Sequence, residues 1–223
     1  MMEIWIEGTP EQVIQVANEG LVDAIATNPS IMAQWTANGE SLESVVARVC
    51  AAVDVPVFVQ LHGPTVMDYL REMKSLRAIS KQIQPKLVAT HAGIAAGRQL
   101  AAQGAKPLIT TIATVSQAFL AARAGAAYIA PYVGRIEDAG VDVYQLVADI
   151  ATMYERHQVK TQIAAASVRS PEQAEKVLLA GAPILVMQHE VFMQLLDSGL
   201  SQNWMARFEE NWEQIPHRLG QEK

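Results

Sequence analysis

The chain has 223 residues, 50% of them hydrophobic, and its 17 basic against 23 acidic residues leave a net charge of −6 at pH 7. That is too apolar for a disordered chain, and an acidic balance without a dense Lys/Arg run argues against nucleic acid as a partner. Cys50 is the single cysteine, so no intrachain disulfide can form, and a reducing cytoplasm is the expected compartment. No apolar run is long enough to span a bilayer and no charged-apolar-small leader opens the chain, so neither membrane insertion nor secretion is expected. One domain over residues 1–223 can bury about 70% of the surface its unfolded chain exposes, without a structural metal.

In chain order, short runs rich in Val, Ile and Ala alternate with amphipathic stretches, with Gly and Pro between them. Strands are predicted at Glu3–Glu7, Val22–Ala26, Val57–Leu61, Ile83–Ala89, Pro107–Thr111, Ala127–Ala130, Thr161–Ala166 and Ile184–Met187. Helices are predicted at Pro10–Glu19, Leu42–Val53, Pro64–Ser80, Gly93–Gln103, Val115–Ala124, Val141–Gln158, Pro171–Leu179 and His189–Ser198. The strands alternate little between apolar and polar, as strands buried on both faces do. Within 141–158, Val143, Leu146, Val147, Ile150 and Met153 keep the helical period.

Eight strand-helix pairs predict an α/β fold, the TIM (β/α)8 barrel, whose usual size is about 200 to 250 residues. A doubly wound open sheet is the alternative; it needs only about five or six strands, and no G-x-G-x-x-G turn follows the first strand. An additional C-terminal helix is predicted within 200–218, over Gln202–Arg218, where Trp204, Phe208, Trp212 and Ile215 recur every three or four residues. Such a helix packs either on its own barrel or, as an arm, on a neighbouring subunit.

Barrel enzymes carry their active groups at the C-terminal ends of strands and in the loops that follow. That rule selects Glu7, Thr27, Asn28, Gln60, Lys86, Thr110, Tyr132, Arg135 and Ser167. Lys86 stands among Ile83, Leu87, Val88 and Ala89, and an amine desolvated by such neighbours is a nucleophile. Its other reading is a lysine that reaches solvent from the start of a strand, which Pro85 favours. Arg135 can clamp a phosphate or carboxylate, or pair with Glu137 or Asp138. Tyr132 can move a proton or simply pack, Asn28 can bind or begin a turn before Pro29, and Ser167 can bind or cap a helix. For capping that helix, Ser170 is better placed, just ahead of Pro171. Glu7 can be a solvated strand end, and Gln60 a buried amide that fixes backbone. The five histidines, 62, 91, 157, 189 and 217, lack metal-ligand spacing, so no metal is expected.

Several segments carry a resemblance: Thr-Asn-Pro-Ser-Ile at 27–31, Val-Phe-Val-Gln at 57–60, Lys86 through Gly93, Ala-Pro-Tyr-Val-Gly-Arg-Ile at 130–136, Ala-Ala-Ser at 165–167 and Phe-Glu-Glu-Asn-Trp at 208–212. In order, and over nearly the whole chain, they resemble the small transaldolase family, and most of all its fructose-6-phosphate aldolase branch. The resemblance implies that Lys86 forms a Schiff base with a ketone donor and that Tyr132 is an acid/base group. It also implies that Gln60 and Tyr132 together hold a catalytic water. Transaldolases proper carry glutamate at the position of Gln60, which favours the aldolase. Asn28, Thr27 and Thr110 would contact the donor or orient the lysine, and Arg135 and Ser167 would bind the acceptor phosphate.

Three residues depart from the family pattern: Glu7 stands for an aspartate, Ala26 for a threonine of the aldolase branch, and Leu87-Val88-Ala89 for Val-Pro-Val, with Pro85 ahead of the lysine. The function so implied is a class I aldolase, without metal or cofactor, that cleaves fructose 6-phosphate reversibly to dihydroxyacetone and glyceraldehyde 3-phosphate. One alternative is a transaldolase using the same lysine; another is a barrel that binds sugar phosphates without catalysis. The family also implies a homo-oligomer of pentameric rings that pair into decamers, joined through the C-terminal arm.

Overall fold

The computed structural model describes residues 2–215, so the predicted arm residues 216–218, with His217 and Arg218, lie outside it. In chain order the elements are β1 Glu3–Glu7, α1 Pro10–Asn18, β2 Ala24–Ala26, α2 Pro29–Trp35, α3 Leu42–Ala52, β3 Val57–Gln60, α4 Val66–Ile79, β4 Ile83–Val88 and α5 His91–Ala102. They continue with β5 Leu108–Ile112, α6 Val115–Arg123, β6 Tyr128–Pro131, α7 Val133–Asp138, α8 Val143–Arg156, β7 Gln162–Val168, α9 Pro171–Leu179, β8 Ile184–Gln188, α10 His189–Gln194 and α11 Gly199–Glu213. The strands form one closed parallel barrel in sequence order, β8 pairing back onto β1, which excludes the open sheet. All eight predicted strands are present.

Caps set where the helices begin. Thr9 with Gln12 and Thr65 with Asp68 form capping boxes, and Ser41, Thr90, Thr114, Asp142, Ser170 and Ser198 each accept a backbone N–H of the first turn. These caps correct several predicted bounds. Thr90 starts α5 at His91 rather than Gly93, Asp142 starts α8 at Val143, and the segment predicted as one helix to Ser198 ends at Gln194, before Ser198 caps α11. Strand β2 starts at Ala24 rather than Val22, because the Asp23 carboxylate accepts the Ile4 N–H at 2.8 Å and ties the preceding turn to β1. Two short helices, α2 and α7, were not predicted; at α2, Asn28 caps a helix instead of beginning a turn.

Two cores hold the barrel. One lies between sheet and helices and takes the outward residues of the strands, such as Ile6, Ile25, Ile83, Leu87 and Ile109, with the buried stripe Val143, Val147 and Ile150 of α8. The other fills the barrel itself with Trp5, Phe58 and Leu108 among small residues such as Ala24, Ala26, Ala130 and Ala164. Trp5 and Phe58 stack at 4.3 Å between ring centroids and Tyr128 meets both edge-on, so three rings close the N-terminal half of the interior. Since Ile83 and Leu87 face the helices, the two-residue period turns Pro85 the same way and Lys86 inward.

Candidate active site

Lys86 is 1% exposed, which excludes a lysine reaching solvent from a strand start. Its Nζ donates to the Thr27 carbonyl at 2.8 Å and stands 3.6 Å from Oε1 of Glu7. That carboxylate, at the end of β1, also accepts from the Asn28 amide at 3.1 Å. The other end of the Asn28 side chain accepts the Ile31 N–H at 3.0 Å, so one residue both starts α2 and orients Glu7. Strand geometry therefore brings β1, β2 and β4 to a single amine.

The Thr27 hydroxyl donates to the Phe58 carbonyl at 3.1 Å and accepts the Gln60 N–H at 3.2 Å. It is spent on joining β2 to β3, and the group Thr27 offers the lysine is its carbonyl. Gln60 lies beside Lys86 in the register of β3 and β4, and Thr110 beside Val88 in that of β4 and β5. Gln60 Oε1 and Thr110 Oγ1 are buried and have no hydrogen-bond partner among the described residues. Buried polar atoms are nearly always paired, and an unpaired one costs on the order of 1–3 kcal/mol. Two of them within two residues of Lys86, along neighbouring strands, mark a place where a polar molecule completes the bonding.

Above this layer a cavity of about 400 Å3 opens at the C-terminal mouth, lined by Glu7, Asn28, Tyr132, Arg135, Ser167 and Arg169 among others. Lys86, Gln60, Thr27 and Thr110 do not line it; Glu7, which pairs with Lys86 and also faces the cavity, joins the two groups. Tyr132 ends β6 as the N-cap residue of α7, and the Arg135 guanidinium lies 5.0 Å from its ring centroid. Arg135 forms no ion pair among the described residues. The predicted acidic partners are taken: Asp138 pairs with Arg169 at 2.6 Å, and Glu137 accepts from Tyr144 and Gln173.

Two irregularities of the sheet lie at this mouth. Thr111 and Ser167 adopt left-handed backbone, φ 63° and 57°, each where the strand register shifts, between Thr110 and Ile112 and between Ala165 and Val168. A β-branched residue at positive φ is strained, and such strain persists where the surroundings hold it. At Thr111 they do: its hydroxyl accepts the Ala89 N–H at 3.1 Å and donates to the Thr110 carbonyl at 2.6 Å, tying β5 to the end of β4.

Arg169 was not among the predicted residues. It follows β7 directly, and its side chain lies over Gly134, where a Cβ would come within 2.6 Å of Nε. The rule that loops after strands carry function reaches it, but two acidic residues beside Arg135 masked the vacancy it fills. Ser30, Gln34 and Gln188 also line the mouth and were likewise missed.

Fold and mouth together define a (β/α)8-barrel protein with an amine buried at its centre and guanidinium groups at its rim. More particularly, the chain belongs to the Transaldolase/Fructose-6-phosphate aldolase family, whose model matches residues 4–222. It is 34% identical over 218 residues to a probable transaldolase of Moorella thermoacetica, covering 97% of this chain and 100% of that one. Over 212 residues it is 32% identical to a probable transaldolase of Streptococcus equi subsp. zooepidemicus, covering 95% and 98%, and 31% identical to one of Phenylobacterium zucineum, covering 95% and 96%. The protein is thus an enzyme of the transaldolase/aldolase type. No helix among the described residues is long and apolar enough to cross a membrane.

Proposed function

We propose that the enzyme is a class I aldolase, working in the cytoplasm, that cleaves fructose 6-phosphate reversibly through a Schiff base on Lys86. The observation that carries the reading is the position of Nζ, shut off from solvent between the Thr27 carbonyl and the Glu7 carboxylate. Burying a lysine is costly, and a buried amine beside a carboxylate is what imine formation needs.

In this reading the Lys86 amine adds to the ketone carbon and water leaves, giving a cationic imine. A base takes the proton of the substrate hydroxyl two carbons away, the carbon–carbon bond between breaks, and its electron pair is held as an enamine conjugated with the nitrogen. Glyceraldehyde 3-phosphate departs. Protonation of the enamine carbon and addition of water then free dihydroxyacetone and restore the amine. Tyr132 and Gln60 would hold the water that carries these protons, Glu7 would exchange protons at Nζ, and Asn28 and Thr110 would bind donor hydroxyls. Arg135 and Ser167, joined by Arg169, would take the acceptor phosphate, guanidinium forks and a hydroxyl sharing its oxygens.

The names of the relatives favour a second reading, a transaldolase that passes the enamine to another aldehyde; Gln60, an amide rather than a carboxylate, favours the aldolase. Incubation with fructose 6-phosphate, with and without erythrose 4-phosphate, separates the two. Free dihydroxyacetone is expected without the second sugar; turnover only in its presence would replace the first reading with the second. Borohydride trapping with dihydroxyacetone should leave a mass adduct on Lys86, and its absence would remove the Schiff base from both.

We further propose that α11 is an arm that covers a second copy of the chain in a pentamer or decamer. None of its residues is buried, and Trp204, Phe208 and Trp212 are 54%, 68% and 53% exposed, an apolar stripe unusual for a free surface. Light scattering should return a mass of several chains; a monomer would refute the arm.

A further inference from the structure

A second cavity, of about 810 Å3, lies at the end of the barrel opposite the mouth, where the chain enters β5, β6 and β7 between the C-terminal ends of α6 and α8. Its volume is about twice that of the mouth and falls within the ~300–1,000 Å3 usual for small-molecule sites. The wall is apolar and partly aromatic: Phe119, a large hydrophobic residue left 50% exposed, faces it with Met153 and Val159. The inner end reaches Tyr128 and Gln162, whose side chains make no hydrogen bond among the described residues and so leave a hydroxyl and an amide uncommitted.

Four basic residues surround this wall: Lys106, Arg123, His157 and Lys160. Each has a local reason to be basic. Arg123 closes α6, where positive charge suits the helix dipole, His157 follows α8, and Lys106 and Lys160 precede strands. Those reasons do not account for their meeting at one cavity without a counter-charge. Among the described residues none of the four forms an ion pair, and no carboxylate lines the cavity, although the chain carries 23 acidic residues. Glu3, which lies near Tyr128, is engaged by the Trp5 indole at 2.8 Å. Lys106, Arg123 and Lys160 place three positive charges on this lining, and an anion seated there supplies the counter-charge that the lining lacks.

From this we infer that the N-terminal cavity is a binding site for a flat aromatic anion, the chemistry of a nucleoside phosphate. The ring system would lie against Phe119 and Met153, its polar edge would meet Tyr128 and Gln162, and its phosphates would lie among the four basic side chains. The ligand class differs from that of the mouth, whose lining is rich in hydroxyl, amide and carboxylate groups and suits a hydroxylated sugar phosphate. Nothing in this inference depends on which reaction the mouth performs.

The test is calorimetric titration of the full chain with adenosine 5′-triphosphate in magnesium-free buffer, run once without fructose 6-phosphate and once after the protein has come to equilibrium with an excess of it. Saturable binding at one site per chain is expected, with adenosine alone and inorganic triphosphate alone each weaker by about tenfold or more, since each lacks one half of the contact. The double variant Arg123→Glu/Lys160→Glu should weaken the nucleotide about tenfold or more, while Lys81→Glu, a charge reversal elsewhere on the surface, should leave it unchanged. Circular dichroism checks the fold of the double variant; should it not fold, Phe119→Ala takes its place, with a loss of about fivefold or more expected from the lost stacking contact. The inference is overturned by the absence of saturable binding, by binding that fructose 6-phosphate displaces, by equal affinity in the variant, or by inorganic triphosphate binding as tightly as the nucleotide.

Discussion

The two halves of the barrel interior are built on opposite rules. In the N-terminal half Trp5, Phe58 and Tyr128 fill the space with rings in contact, and the one indole N–H there is bonded to Glu3. In the C-terminal half, one turn of the pleat further on, the inward positions hold Glu7, Gln60, Lys86 and Thr110, and two of their polar atoms lack partners. The same strands carry both: Trp5 and Glu7 share β1, Phe58 and Gln60 share β3, and Leu108 and Thr110 share β5. A closed plug below thus supports an incompletely bonded layer above, and the polar layer need not contribute to stability.

That contrast can be broken from either side. The largest effect is expected for Lys86→Met, which should lower kcat by about a thousandfold or more if the amine is the nucleophile, with the circular dichroism spectrum unchanged. Because it leaves the buried Glu7 carboxylate and the Thr27 carbonyl without their partner, the melting temperature should fall by several degrees while the fold is kept; unchanged turnover would move the nucleophile elsewhere. In the other half, Trp5→Ala should cost about 3–5 kcal/mol in denaturant unfolding through the cavity it leaves, while the protein that stays folded keeps its turnover.

Arg135→Ala sharpens the division within the mouth. It should raise KM for a phosphorylated aldehyde by about 10- to 100-fold through lost charge-assisted hydrogen bonds, with little change for the unphosphorylated one. Equal losses on both aldehydes would place the guanidinium away from the phosphate.

The smallest effect concerns Tyr128, whose hydroxyl is pushed above the ordinary tyrosine range by burial and, secondarily, by the nearby Glu3. A raised value in the folded state means that the folded chain holds the proton longer than the unfolded chain. Its contribution to stability is therefore present below about pH 10 and fades as pH climbs beyond it. Melting scans of Tyr128→Phe should accordingly show a shallower alkaline fall than those of the parent, and identical slopes would contradict this.

The barrel was legible because most strands are short apolar runs with Gly or Pro near one end, and each long helix carries a stripe of several turns. The elements that escaped, α2 and α7, have seven and six residues, too few for a period to declare itself, and α2 hides behind an Asn-Pro pair that also suits a turn. At the mouth, the strand-end rule reached the lining residues Glu7, Asn28, Tyr132, Arg135 and Ser167. It did not reach the division of labour. That the Thr27 hydroxyl serves backbone while its carbonyl meets Lys86 is a matter of side-chain rotamer, and that Arg169 takes Asp138 and so leaves Arg135 open is a matter of contacts between separate loops. The bulges at Thr111 and Ser167 carry no glycine that would announce a left-handed residue.

The four tryptophans of the chain divide evenly between two environments. Trp5 and Trp35 are sealed in the body at 1% and 2% exposure, whereas Trp204 and Trp212 stand on α11, half open to water. Fluorescence therefore carries two separable signals, a blue-shifted one from the barrel and a red-shifted one from the helix. Iodide should quench only the second, and any loss of that quenching as the protein is concentrated would give the association constant directly, without a label and without disturbing the mouth.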